Sequence, residues 1–306
     1  MTNSSAPCAS PVINKRRTGP VTDDGPMLLL VPADVLRPRR PDEHFAAEAD
    51  AARAAGIDVA VVDHDALARG EDAGRAVARV PAGTDAVYRG WMLNSARYAA
   101  MAGALAARGV SLRTSPRQYR QAHELPGWYD AVSDHTPESV WTDGDSRPAF
   151  TRACVQLQDG PAVLRDWTKS MKHHWQEAAY VPELADSDAA WQVAARLREL
   201  RGDDFTGGFV IRRFEAFTGA EVRTWWTGGD CRLITAHPDT AEVPPPADLD
   251  VTAVGAAISA LGLPFVTADL TRHEDGRWRL VEIGDGQVSD RPRTTPAHDL
   301  IRALFG

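Results

Sequence analysis

The chain is poor in cysteine: there are three in 306 residues, and Cys8, Cys154 and Cys231 lie far apart. An odd, dispersed set neither builds a disulfide framework nor matches the paired spacings of a zinc site, so a reducing, cytoplasmic setting is expected. Positive charge is in deficit, with 34 Lys and Arg against 42 Asp and Glu and a formal charge of −8. Such a surface does not attract nucleic acid or anionic membrane, so neither is expected as a partner, and any bound phosphate must be held by a local cluster of cations. No apolar run approaches the length of a membrane span. A Gly-x-Ser-x-Gly element is lacking, as is any Cys/His pair that would argue for a nucleophilic enzyme. Residues 1–25 are rich in Ser, Pro, Thr and Asp, and no apolar stretch follows Lys15-Arg16-Arg17 before Met27. That pattern excludes a secretory signal and reads as a disordered tail.

What is present is an ordinary globular mix, 43% hydrophobic and 25% charged, in a chain long enough for two compact lobes. Met27–Val31, Ile57–Val62 and Asp85–Tyr88 read as buried strands. They alternate with helical segments at Glu43–Ala55 and from Ser95, as the expected cap, to Arg108. This predicts a parallel α/β domain over about residues 26–120. From 121 to 306 the character changes to α+β. Prolines 137, 148 and 161 punctuate the next stretch, Ala162–Arg165 is a short strand, and Ser187 and Asp188 precede an amphipathic helix. Antiparallel strands are predicted at 209–214, 221–227, 231–235, 265–271 and 277–283, with helices at 251–261 and at the end. A small lobe is placed at about 140–210 and a large lobe at about 211–306.

The Asp275-Gly276 pair signals a type I′ hairpin, because both central residues of that turn need positive φ. Symmetry about that pair sets Asp269 opposite Glu282, with Cβ atoms roughly 5 Å apart. Two facing carboxylates among apolar neighbours repel each other. Relief comes from a divalent cation, for which oxygen ligands suit Mg2+, or from an arginine for each acid. Asp285 and Gln287 follow as candidates for a further oxygen.

A second constellation is basic. Arg165, Lys169 and Lys172 fall within eight residues, with Ser170 among them, at the end of the Ala162–Arg165 strand. A cation leaving a strand, followed by a Lys-Ser loop, can wrap phosphate oxygens. Arg212, Arg213 and Arg223 form a further basic set. Glu221 and Arg223 share one strand face with Trp225, and Arg223 can hold a phosphate in a bidentate fork. A solvated basic turn and an intrasheet salt bridge are the plain alternatives.

Taken in order, Val163–Lys172, Phe209–Glu215, Glu221–Arg223, Ala268–Leu270 and Val281–Gln287 resemble the motifs of the ATP-grasp superfamily, and of its clade named for one Arg and two Lys. The resemblance implies ATP gripped between two α+β subdomains that follow an α/β domain, with Mg2+ as cofactor. It implies phosphate contacts from Arg165, Lys169 and Lys172, an adenine-reading hinge at Arg213, Phe214 and Glu215, and Glu221 near the ribose or hinge. It makes Arg223 and Lys169 catalytic and Asp269 and Glu282 metal ligands. The strand position holds Arg165 where the family has Lys. Gly284 stands where it has Asn, which leaves Asp285 or Gln287 to replace that ligand. Arg89 and Trp91, at the C-terminal end of a strand in the first domain, are candidates for gripping a substrate carboxylate, with Tyr119 and His123 nearby. The implied reaction joins a carboxylate to an amine, on an amino acid or small peptide, through an acyl phosphate. A kinase on the same scaffold and a non-catalytic nucleotide-binding module stay open.

Overall fold

The computed structural model describes residues 27–306. The expected tail and Cys8 lie outside the described residues. Three sheets follow one another along the chain. The first unit comprises β1 (Met27–Pro32), α1 (Glu43–Ala54), β2 (Asp58–Val62), α2 (His64–Arg69), α3 (Ala73–Ala76), β3 (Asp85–Tyr88) and α4 (Ser95–Ala106). Its strands are parallel in the order β2-β1-β3. The central strand is apolar throughout because both its faces are covered. Leu28 and Leu30 pack with Tyr98 and Met101 of α4, and Leu29 and Val31 with Phe45 and Ala49 of α1. Asn94, and not the expected Ser95, caps α4 by accepting the Arg97 N–H at 2.9 Å. Ser95 instead donates to Glu124.

Two short helices, α5 (Pro116–His123) and α6 (Leu125–Val132), lead into the small lobe. There β4 (Ser139–Trp141), α7 (Arg147–Leu157), β5 (Ala162–Asp166), β6 (Tyr180–Val181), α8 (Ser187–Arg201) and β7 (Phe209–Arg213) form an antiparallel sheet, β4-β7-β5-β6, backed by α7 and α8. Pro148, read from sequence as a break, sits in the first turn of α7, where its missing N–H has no intrahelical partner to lose. Asp186, rather than Ser187 or Asp188, caps α8. Gly208 is required by close approach, since a Cβ there would lie 1.9 Å from the Thr142 carbonyl oxygen.

The large lobe holds β8 (Val222–Thr227), β9 (Asp230–Ala236), α9 (Thr252–Ala260), β10 (Phe265–Arg272), β11 (Trp278–Asp285) and α10 (Ala297–Phe305), with sheet order β11-β10-β8-β9. The hairpin between β10 and β11 differs from the expected turn. Gly276 alone takes positive φ, 88°, and His273 N–H donates to the Arg277 carbonyl, so three residues make the loop. Near the loop Leu270 pairs with Leu280, one residue out of the expected register. Val281 is then an extra residue, a bulge, beyond which Asp269 pairs with Glu282. α10 runs back to the first unit, where Ile301 joins the cluster of Leu29, Val31 and Phe45. No helix among the described residues is long and apolar enough to cross a membrane.

Candidate functional site

Asp269 lies at the centre of the large-lobe sheet, paired with Arg223 on β8 and with Glu282 on β11. Register places the three side chains side by side on one face. The Arg223 guanidinium grips Asp269 through Nε to Oδ1 and Nη2 to Oδ2, each 2.8 Å. Burial opposes ionisation of Asp269, but Arg223 outweighs it and holds the carboxyl well below the usual range. Glu282 is treated likewise: burial raises it, while Arg165 and Lys169 bring it below its ordinary value. Arg165 Nη2 reaches Glu282 Oε1 at 2.8 Å, so a small-lobe arginine crosses the cleft to a large-lobe acid. Of the two ways to relieve facing carboxylates, the structure supplies an arginine for each. The donor set also fits a hard divalent cation. Two ionised carboxylates sit side by side, and ligand atoms of Glu221, His237 and Asp269 all lie within 4.8 Å of one another.

Asp285 does not extend that set. Its Oδ1 accepts Gln287 N–H at 2.8 Å and its Oδ2 accepts Gln287 Nε2 at 3.2 Å. Alternation along β11 turns it to the other face from Glu282, and burial pushes its carboxyl up to about 7. Gln287 likewise serves as a dock: its side-chain oxygen accepts Tyr88 N–H, its carbonyl accepts Gly90 N–H, and its Nε2 donates to Tyr98.

The basic loop is organised by Asp166, a residue given no role from sequence. Oδ1 accepts from Thr168 N, Thr168 Oγ1 and Lys169 N at 2.7 to 2.9 Å, and Oδ2 from Arg201 at 2.7 Å. This carboxylate-centred turn presents Lys169 to solvent, at the common edge of three cavities. Lys172 pairs across the cleft with Asp239. Burial lowers its pKa, but Asp239 outweighs that and raises it.

One cavity, about 520 Å³, runs between the two antiparallel sheets. Arg165, Lys169, Lys172, Glu221 and Glu282 line it, together with Phe214, Glu215 and Trp175. Arg213 also borders it, but its guanidinium donates to the carbonyls of Leu157 and Asp159. Glu215 is clamped in a fork by Arg279 at 2.7 and 2.8 Å. Trp175, stacked on Tyr180 at 5.4 Å and 37% exposed, adds an aromatic wall that sequence reading missed. An exposed tryptophan just after a basic loop was the available signal.

A neighbouring cavity of about 360 Å³ shares Lys169, Lys172, His237 and Glu282 with the first, and adds Arg223, Asp269, Trp91 and His123. His123 Nδ1 donates to the Tyr119 carbonyl at 2.9 Å, and burial, aided by Lys169, lowers its pKa to about 4. Tyr119 itself is buried, its hydroxyl bonded to the Leu93 backbone. Trp91 stands at the rim, packed edge-on against Phe45. Arg89 does not reach this space. It is 1% exposed, bonded to Glu48 through Nε and Nη2 and to the Gly286 and Ser289 carbonyls through Nη1. The expected carboxylate grip is thus an internal tie between the first unit and the large lobe. Gly90, beside it, makes room for the Tyr88 ring, since a Cβ there would lie 2.2 Å from its hydroxyl.

Residues 155–304 match a family model of the ATP-grasp domain, family 3 of the clade named for one Arg and two Lys. Among solved structures, the chain is similar to a RimK-domain ATP-grasp protein from Sphaerobacter thermophilus DSM 20745, with TM-score 0.57 and 19% identity over 92% of this chain and 100% of that one. It is also similar to the D-cycloserine synthetase DcsG, with TM-score 0.60 and 20% identity over 91% of this chain and 98% of that one. The ATP-grasp ligase PsnB, complexed with minimal precursor, Mg and ADP, gives TM-score 0.53 and 15% identity over 91% and 96%. At these identities the likeness is one of fold. No curated protein matches the chain.

Proposed function

Given that the chain carries an ATP-grasp domain of the one-Arg, two-Lys clade, we propose that it is a Mg2+- and ATP-dependent ligase that joins a carboxylate to an amine through an acyl phosphate. The observation that carries this reading is the shared wall of the two cavities. Lys169, Lys172, His237 and Glu282 border both, so the two spaces meet at a cluster of cations and acids. The larger cavity takes the nucleotide, with its base at Phe214, Glu215 and Trp175 and its phosphates toward Arg165, Lys169 and Lys172. The smaller one takes the carboxylate substrate, an amino acid or short peptide, with Trp91 at its rim.

Asp269 and Glu282 would hold the metal ion, which supplies charge neutralisation at the phosphates. Lys169 and Lys172 draw the γ-phosphate toward the shared wall and screen the approach of the anionic carboxylate. A carboxylate oxygen forms a bond to the γ-phosphorus as the bond to the bridging oxygen breaks and ADP departs. The amine nitrogen then attacks the acyl carbon, loses a proton and expels inorganic phosphate. Arg223, held by Asp269, faces the acyl phosphate throughout, and catalysis is chiefly positioning and electrostatics.

The test is ADP release from the chain with Mg2+ and ATP, screened against amino acids and short peptides, with and without hydroxylamine. A hydroxamate formed only with a particular carboxylate identifies the donor and supports the acyl phosphate. ADP release that yields a stable phosphoester, with no hydroxamate, would replace the ligase by a kinase, and absence of ADP release would leave a nucleotide-binding module.

A further inference from the structure

We infer that the amine substrate approaches through a third cavity, between the first unit and the small lobe, and that His123 orients it by accepting a hydrogen bond from its nitrogen. This rests on the ligase reading above and places the one substrate that the nucleotide and carboxylate cavities leave without a site. The cavity measures about 680 Å³. It is lined by residues 92–96 at the start of α4, by residues 168–170 of the basic loop, and by residues 201–207 at the end of α8 and beyond. It meets the carboxylate cavity at Met92, His123, Thr168 and Lys169.

Of the two titratable side chains shared there, Lys169 is a cation and His123 is neutral. A carbonyl oxygen can only accept, so the 2.9 Å contact with Tyr119 puts the ring hydrogen of His123 on Nδ1 and the lone pair on Nε2. The plain role of this histidine is helix packing: its Nδ1 bond stays within α5, and its ring lies over Tyr119 at 4.1 Å between centroids. That role accounts for one nitrogen and one face. It leaves Nε2 with no hydrogen-bond partner among the described residues, on a half-buried ring that borders both cavities. Burial, reinforced by Lys169, keeps the ring unprotonated at neutral pH, so the lone pair stays available.

Attack on an acyl carbon needs an uncharged nitrogen, whereas a primary amine in water is an ammonium ion. Asp203 and Asp204 line the third cavity, exposed and without ion-pair partners among the described residues, and attract that cation. Lys169, where the cavities meet, disfavours the charge and so favours the neutral amine. There one N–H of the amine donates to His123 Nε2, and the nitrogen lone pair turns toward the acyl carbon. As the C–N bond forms, the bond from acyl carbon to phosphate oxygen breaks. Its electron pair leaves with phosphate, which takes the proton of the second N–H. His123 stays neutral throughout.

The test supplies the full chain with Mg-ATP and an equimolar mixture of the common amino acids. It reads dipeptide by mass spectrometry and, in parallel, hydroxamate after addition of hydroxylamine. Hydroxylamine is already neutral at neutral pH and strongly nucleophilic, so hydroxamate reports the acyl phosphate alone. We expect His123→Phe, which keeps a ring over Tyr119, to cut dipeptide formation about 10-fold or more and hydroxamate by less than about twofold. His123→Gln, whose Oε1 offers an acceptor at similar reach, recovers most of the loss. Ala96 lines this cavity and neither of the other two. Ala96→Trp is expected to raise the half-saturating concentration for dipeptide about fivefold or more and to leave that for hydroxamate unchanged. Equal losses of dipeptide and hydroxamate in His123→Phe, or no loss of dipeptide, overturn the role of His123. An unchanged half-saturating concentration in Ala96→Trp overturns the cavity, and decides alone if thermal melting shows His123→Phe to be unfolded. A wild type that forms hydroxamate but no dipeptide overturns the amine site while the acyl-phosphate reading stands. Absence of hydroxamate removes both.

Discussion

Arg212, on the small lobe, donates to the carbonyl oxygen of Val281, the extra residue of the β11 bulge, at 2.6 Å. A bulged residue drops out of the ladder and leaves its backbone groups to find other partners. The same guanidinium reaches the Leu280 carbonyl at 3.3 Å, and Thr136 Oγ1 donates to that carbonyl at 2.7 Å. Burial, reinforced by nearby Arg165, lowers Arg212 to about 10, so it remains charged at neutral pH. The irregularity that sets Asp269 against Glu282 is thus braced from across the cleft.

Removing that brace takes the donor from the half-buried Val281 carbonyl, while the Leu280 carbonyl keeps Thr136 Oγ1. Arg212→Met is expected to lower the unfolding free energy by about 2–4 kcal/mol. Urea denaturation followed by tryptophan fluorescence measures it. A variant within error of wild type would show that the bulge stands alone.

Asp269→Asn and Glu282→Gln keep the size of each side chain and remove its charge. Each is expected to cut Mn2+ affinity and ATP turnover by about 100-fold or more, with secondary structure retained. Circular dichroism and Mn2+ titration separate the two effects. Wild-type turnover at limiting Mg2+ in both variants would refute the metal assignment.

Arg89→Ala leaves Glu48, 3% exposed, without its main partner. Breaking one side of a buried ion pair is expected to cost about 3–5 kcal/mol. Nucleotide affinity should stay close to wild type, since the side chain does not reach either cavity. Thermal melting with nucleotide titration decides between this and a role in substrate binding, which would spare stability.

Asp285 sets a pH dependence of uncommon sign for an acid. Its folded carboxyl is raised from 3.8 to about 7, mainly by burial. Between those values the folded state keeps a proton that the unfolded chain has released, so stability falls as pH rises and levels off above about 7. Asp285→Asn removes this contribution, and the difference between variant and wild type should grow by at most about 1.4 kcal/mol per pH unit from pH 5 to 7. His123, whose pKa is lowered to about 4, gives the opposite slope over part of that range, but it is common to both proteins and cancels in the difference. A flat difference would show that Asp285 is ionised in the fold.

The strands were legible in the sequence because their apolar runs are short and sharply ended: Met27–Val31, Asp85–Tyr88 and Phe209–Phe214 each match an observed strand to within one residue at either end. The pairing of Asp269 with Glu282 was legible for an incomplete reason. The loop has one residue more than the Asp-Gly signal implies, and the bulge at Val281 restores the expected register. Bulges leave no mark in composition, so the compensation was invisible. Arg89 shows the other limit. A cation at a strand end reads as a ligand grip, and its partner Glu48 lies 41 residues away, on a helix face that only the fold brings near. Asp166 is a further case, since its five hydrogen bonds come from Thr168, Lys169, Arg201 and Thr206, and no local pattern announces the last two.

The return of α10 to the first unit bears on the order in which the chain is made. The first sheet is synthesised early, but one of its faces is closed in part by Ile301, which packs with Leu29, Val31 and Phe45. Until the last turn of helix leaves the ribosome, those side chains have only α1 to cover them. Closure spans more than 250 residues of chain, a long-range contact of the kind that slows folding. A truncation before Ala297 would therefore take Ile301 from the first sheet and leave the face that packs on it partly uncovered and open to aggregation.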